Sequence, residues 1–117
     1  MKISILGGTG DIGEGLALRL AQKHDVIVGS RDEIKAIEAA DHYNKILTDR
    51  GLRDSIKGMS NRDAAKNSEV VILAVKFQFA LQTVQGVLDV LSDQIVVSPI
   101  VPMSKTKLCA FTPPEGG

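Results

Sequence analysis

The segment from Ile3 to Gly13 leaves this chain few folds to choose from. An almost wholly apolar run, Ile3-Ser4-Ile5-Leu6, passes without a break into Gly7-Gly8-Thr9-Gly10-Asp11-Ile12-Gly13. So dense a cluster of glycines disfavours a continuous helix or strand, because glycine in an element interior is destabilising. It fits a sharp bend. Beyond the bend, Leu16, Leu18 and Leu20, with Ala17 and Ala21, describe an amphipathic helix over about Gly10–Lys23. A second apolar run, Val26-Ile27-Val28, closes in Gly29-Ser30-Arg31. Strand, glycine bend, helix and strand in this order form a βαβ unit with parallel strands and a right-handed crossover.

The bend has the spacing G-x-G-x-x-G at Gly8, Gly10 and Gly13. A helix N-terminus presents unpaired N–H groups and the positive end of the helix dipole, which together suit an anion. Side chains at the bend would hold a diphosphate off. Gly8 is therefore expected to make the tight turn, Gly10 to admit the ligand, and Gly13 to let the helix pack on the strand. Thr9 adds a hydroxyl donor. Asp11 would repel a diphosphate unless it points into solvent, and Ile12 completes the first turn. Glycine bends also occur without ligands. Here the motif follows a strand, opens a helix and begins a unit of roughly thirty residues, and this context points to dinucleotide binding.

The end of the second strand suggests which dinucleotide. NAD-binding folds carry an acid there for the ribose 2′-hydroxyl, whereas NADP-binding folds lack it and use a nearby Arg for the 2′-phosphate. Val28-Gly29-Ser30-Arg31 has no acid at its tip. Ser30 offers a hydroxyl, and Arg31 offers a planar fork that can also stack on adenine. Lys35 lies one helical turn beyond Arg31 and can face the same spot. Asp32 and Glu33 read as first-turn acids of the next helix. The competing account of Arg31 and Lys35 is a solvated helix start.

The 117 residues suit one α/β domain. Formal net charge is zero, and there is no Trp and one Tyr, so neither a basic nucleic-acid surface nor a base-stacking platform is expected. No apolar run has the length of a membrane span, and the N-terminus does not resemble a secretory signal. Cys109 is the only cysteine, which excludes an intrachain disulfide and fits a reducing cytoplasm. Its simplest role is that of a small buried hydrophobe. His24 and His42 have no partners at metal-ligand spacing, so no metal site is expected.

Strands and helices alternate along the rest of the chain. A long helix is expected over about Asp32–Arg50, with Ile34, Ile37, Ala40 and Leu47 at helical spacing and Gly51 as its stop. Ser55-Ile56-Lys57 reads as a short edge strand. Ser60 and Asp63 resemble a capping box that starts a helix through Lys66. Glu69–Val75 is the clearest strand, its apolar run suiting a parallel strand covered on both faces. Gln78–Leu91 reads as a helix with Leu81, Val84, Leu88 and Leu91 on its packing stripe, and Gln94–Ser98 as a last strand before Pro99. The expected fold is a Rossmann-type doubly wound parallel sheet of five strands in the order 3-2-1-4-5. Its switch point lies between strands one and four, with ligands beyond the strands' carboxyl ends. Residues 1–112 are expected to form an NADP-binding domain. Pro113-Pro114-Glu115-Gly116-Gly117 reads as a linker-like tail.

Three ordered segments resemble one family. Gly7-Gly8-Thr9-Gly10-Asp11-Ile12-Gly13-Glu14-Gly15-Leu16-Ala17, then Val28-Gly29-Ser30-Arg31, then Val97-Ser98-Pro99-Ile100-Val101-Pro102 are together similar to the NADPH-dependent coenzyme F-420 reductases. Short-chain dehydrogenases fit less well, since Tyr43 is followed four residues later by Leu47 in place of Lys. The resemblance implies hydride transfer between NADP and the 5-deazaflavin coenzyme F-420. By it, Thr9, Gly10, Asp11 and Ile12 line the diphosphate, and Ser30, Arg31 and Lys35 hold the 2′-phosphate. Val75 and Lys76 border the nicotinamide side, and the segment carrying Pro99 and Val101 forms part of the floor under the stacked rings. Asp11 and Lys76 depart from the amide and proline common at those places. The resemblance further implies a homodimer and a C-terminal segment that completes the deazaflavin cleft, and the sequence stops where that segment is expected. Hydride transfer needs two rings held face to face without water, so the lack of a catalytic triad is consistent with a redox enzyme. A regulatory NADP-binding module, or another NADP dehydrogenase on the same scaffold, remains open on sequence alone.

Overall fold

The computed structural model describes residues 1–75 and 77–97, with Phe77 as backbone only. In chain order the elements are β1 (Lys2–Leu6), α1 (Asp11–Leu20), β2 (Asp25–Ser30), α2 (Glu33–Asp49), β3 (Lys57–Ser60), α3 (Asn61–Lys66), β4 (Val70–Leu73), α4 (Phe77–Val87), a 3-10 turn (Leu88–Val90) and β5 (Ile95–Val97). The strands form one parallel sheet in the order β3-β2-β1-β4-β5, as expected from the alternation of elements. Ile5 pairs with Val28 on one side and Ile72 on the other, which aligns the strand ends that carry the site.

Successive side chains of the inner strands face opposite layers, and both layers are apolar. Ile3, Ile5, Val26, Val28 and Ile72 pack with Ala17 of α1, with Ala21 at its C-cap, and with Ala40, Tyr43 and Leu47 of α2. Leu6, Ile27, Val71 and Leu73 pack with Ala64 and Ala65 of α3 and Val87 of α4. Ser4 is the polar exception within β1; its hydroxyl accepts from Ser68 at 2.9 Å. Among the described residues, no helix is long and apolar enough to cross a membrane.

Several details differ from the sequence expectation, among them the strand expected over Glu69–Val75, which is β4 at Val70–Leu73. β3 falls at Lys57–Ser60, not Ser55–Lys57. Ile56 is buried, but the Asn44 side chain takes both its backbone groups, at 2.9 and 2.8 Å, and so withholds them from the ladder. On α2, Ile34 and Ile37 face solvent, and the buried row is Ala36, Ala40, Tyr43 and Leu47. The helix expected over Gln78–Leu91 is α4, which ends at Val87, so that Leu88 falls in the 3-10 turn; Leu81 and Leu88 are exposed, and the buried face of α4 runs through Ala80 and Val87 with Val84 packed beside it. The expected helix signals elsewhere hold. Ser60 Oγ accepts the Asp63 N–H at 3.2 Å, and Gly51 ends α2 with φ +69°. The expected tail over residues 113–117 lies outside the described residues, as do Cys109, Pro99, Val101 and Lys76.

Candidate functional site

The glycine bend joins β1 to α1 at the switch point of the sheet. Gly8 lies in the turn, as expected, and the residue in the left-handed region is Gly7 before it, at φ +73°. A Cβ on Gly7 would also lie 2.2 Å from Val75 Cγ1. Gly8 is a contact glycine. A side chain there would meet the Ile5 carbonyl at 2.8 Å and Val28 Cγ1 at 2.9 Å. Gly13 lies against Gly8, where its Cβ would come within 2.4 Å of Gly8 Cα, so the helix and the bend touch backbone to backbone. Gly10 is different: a Cβ there would meet nothing within 4 Å. It faces open space at the helix start.

The hydrogen bonding of the bend divides the same way. Gly7 and Gly8 both donate to the Gly29 carbonyl, at 2.9 and 3.1 Å, which ties the bend to the end of β2. Gly10 is the N-cap of α1 and provides no side-chain cap. The amides of Thr9, Gly10, Asp11 and Ile12 donate to no group among the described residues. They form the open N-terminus of a ten-residue helix, where an anion gains both hydrogen bonds and the dipole. The Asp11 side chain is exposed, and so is that of Ile12.

A residue without a motif of its own supports the bend from beneath. Tyr43 of α2 is buried, and its hydroxyl donates to the Gly8 carbonyl at 2.7 Å. Burial pushes the phenol up from 10.0 to about 12, and the carboxylates of Glu14 and Asp11 act in the same direction. A phenol that keeps its proton longer when folded contributes stability that is whole below pH 10 and is lost as pH rises toward 12. Two units amount to at most about 3 kcal/mol. Denaturant titrations are expected to show Tyr43→Phe losing up to that much less stability than the wild type across this range, because phenylalanine has no proton to release.

Above the bend lies a cavity of about 810 Å³. Thr9 and Val75 line it from the ends of β1 and β4, and Ser30, Arg31 and Lys35 line it from the end of β2 and the start of α2. Phe79, Gln82 and Thr83 line it from α4. Arg31 and Lys35 are exposed and make no ion pair among the described residues. Arg62 also lines the cavity, but Asp89 holds it at 2.5 Å. That hydrogen bond keeps the Asp89 carboxyl below the usual carboxylate range. Asp32 is occupied as N-cap of α2, its carboxylate accepting from Ile34 N–H at 3.0 Å, while Ser30 Oγ accepts from Asp32 N–H at 3.2 Å and donates to no group among the described residues. Asn61 enters from α3 with Oδ1 buried and unpartnered among the described residues. A Cβ on Gly29 would lie 2.8 Å from that atom, so Gly29 is a packing glycine.

The structure thus brings Thr9, Ser30, Arg31, Lys35 and Val75 to one cavity, with Gly8, Gly10, Asp11, Ile12 and Gly13 forming the bend beside it. Tyr43 could have been found in the sequence as the one aromatic on the apolar face of α2. Asn61 and the α4 wall carry no comparable sequence signal.

The family model described as NADP oxidoreductase, coenzyme F420-dependent, matches residues 2–102. The chain belongs to this family. An F420-dependent NADP reductase of Methanocaldococcus jannaschii is 49% identical over 104 residues, which cover 89% of this chain and 47% of that protein. One from Methanothermobacter thermautotrophicus is 43% identical over 105 residues, covering 88% and 44%. The chain therefore spans about half the length of the curated F420-dependent reductases it matches. A crystal structure assigned to an F420-dependent NADP-reductase of Arthrobacter sp. FB24 superposes with a TM-score of 0.69 at 26% identity, covering 87% of this chain and 46% of that one. Malate dehydrogenase of Archaeoglobus fulgidus, in complex with NADH, gives 0.68 at 14% identity over 88% and 41%, a likeness of fold alone. The five-stranded parallel sheet of this family member is thus Rossmann-like.

Proposed function

We propose that the protein transfers a hydride between NADP(H) and the 5-deazaflavin coenzyme F-420, and that this chain supplies the NADP-binding part. The carrying observation is the open Gly10 with its unspent amides, beside two cations that have no ion-pair partner among the described residues. The residues fit the dinucleotide. The amides of Thr9 to Ile12 would hold the diphosphate, and Ser30, Arg31 and Lys35 the 2′-phosphate. Arg31 also offers a flat face to adenine. Val75, at the carboxyl end of β4, would border the nicotinamide. When bound, NADP supplies the hydride acceptor or donor. The protein's part is to bind, orient and exclude water, which for two stacked rings can supply most of the catalytic effect.

The division into an NADP-binding domain over residues 1–112 and a tail over 113–117 belongs to the same proposal. So do Lys76, Pro99 and Val101 at the ring side, a homodimer, and a cytoplasmic setting. The first test is to titrate the purified protein with NADPH and NADH, then to follow deazaflavin absorbance with NADPH present. Preferred binding of NADPH with bleaching of the deazaflavin band is expected. Tight NADPH binding without bleaching would favour a regulatory module or another dehydrogenase. Static light scattering reads the homodimer.

A further inference from the structure

We propose that Tyr43 is the positioning residue of the diphosphate bend: it fixes the Gly8–Thr9 peptide so that the Thr9 N–H points to the ligand. This rests on the dinucleotide reading above and assigns it a residue outside the glycine motif. The peptide unit is planar and trans, so its C=O and N–H point in opposite directions. Tyr43 Oη takes the Gly8 carbonyl from the buried side at 2.7 Å. The Thr9 N–H, on the other side of the same unit, is then directed outward, and Thr9 lines the cavity. Donation to the carbonyl also polarises the unit and makes that N–H a better donor.

The packing makes the arrangement rigid. Tyr43 is only 2% exposed. It sits on the helix that begins just beyond Arg31 and carries Lys35, so α2 contributes to the 2′-phosphate end and anchors the diphosphate end. Its charged neighbours are Asp11 and Glu14 from α1, and the His42 ring on its own helix lies 6.0 Å away. These carboxylates favour the neutral phenol, which is the form that donates. The hydroxyl is thus kept as a donor across the working pH range.

The test compares NADP with adenosine 2′-monophosphate, which carries the 2′-phosphate but nothing that reaches the bend. Tyr43→Phe is expected to raise the Kd for NADP about tenfold and that for adenosine 2′-monophosphate less than about twofold. A residue needed only for folding would lower Tm and leave both affinities alone, or weaken both together; either result overturns the proposal. Should Tyr43→Phe fail to fold, the wild type still decides. The chain has one Tyr and no Trp, so its tyrosine emission band, excited where its three Phe do not absorb, comes from Tyr43 alone. NADP is expected to change that emission and adenosine 2′-monophosphate to leave it unchanged, with the adenine absorbance common to both as the control. Equal responses to both ligands overturn the assignment. Absence of NADP binding to the wild type refutes the dinucleotide reading instead.

Discussion

Arg31→Ala is expected to weaken NADPH binding by about 10- to 100-fold while changing NADH binding by less than about threefold. The difference between the two nucleotides is one phosphoryl group on the adenosine ribose, so the contrast isolates the contact. A charge-assisted fork to phosphate contributes about 1.5–3 kcal/mol, which gives the range. The fold has little to lose, because Arg31 is exposed and pairs with no carboxylate among the described residues. Tm should therefore stay within about 2 °C of the wild type, in keeping with a surface substitution away from the core. Lys35→Ala should act in the same direction and more weakly, since an ammonium is a point charge on a flexible stem. Isothermal titration calorimetry with both nucleotides reads the affinities, and a thermal melt reads Tm. Equal losses for NADPH and NADH would place Arg31 elsewhere in the site, for instance against adenine.

The missing acid at the tip of β2 is legible in the amino-acid sequence, and so is the strand order. Both follow from pattern: two continuous apolar strands covered on both faces, and polar residues where they end. The helix faces are less legible. On α2 hydropathy favours Ile34 and Ile37, yet the buried row begins with two alanines, Ala36 and Ala40. The reason lies across the interface. A Cβ on Gly58 of β3 would come within 2.3 Å of the Ala36 carbonyl, so helix and strand meet at backbone distance and admit only small side chains. An isoleucine would hold them apart. β3 itself, Lys-Gly-Met-Ser, has little strand propensity and is set by that contact and by its pairing to β2. The bond that Tyr43 makes, unlike its place on the apolar face of α2, is hidden from sequence for a related reason. Its partner is a carbonyl 35 positions away, and no local pattern announces such a bond. Gly7 is overshadowed by the spacing of the three glycines after it, which describes ligand approach and packing more directly than backbone handedness.

The glycines of the bend can be separated by experiment, because the structure gives them different work. Gly10→Ala should fold, since φ is −91° and a Cβ meets nothing within 4 Å. Alanine is the poorer N-cap, by under about 1 kcal/mol, so Tm should fall by only a few degrees. Binding is another matter. The added methyl occupies the approach to the helix N-terminus and forces the diphosphate off its amides. Loss of two charge-assisted hydrogen bonds predicts a rise in Kd for NADP of about 100-fold or more. Gly13→Ala should behave in the opposite sense. Its methyl has to enter a space only 2.4 Å from Gly8 Cα, and no flexible side chain stands there to give way. Destabilisation of about 1–3 kcal/mol or more is expected, read as a fall in Tm and in the denaturation midpoint. Any loss of NADP affinity in that variant should be regained in part where the bend can shift. The pair therefore distinguishes a phosphate cradle from a mere packing turn. Were Gly10→Ala to bind NADP as tightly as the wild type, the dinucleotide could not be approaching the amides of this bend. The Arg31 result would then need another explanation.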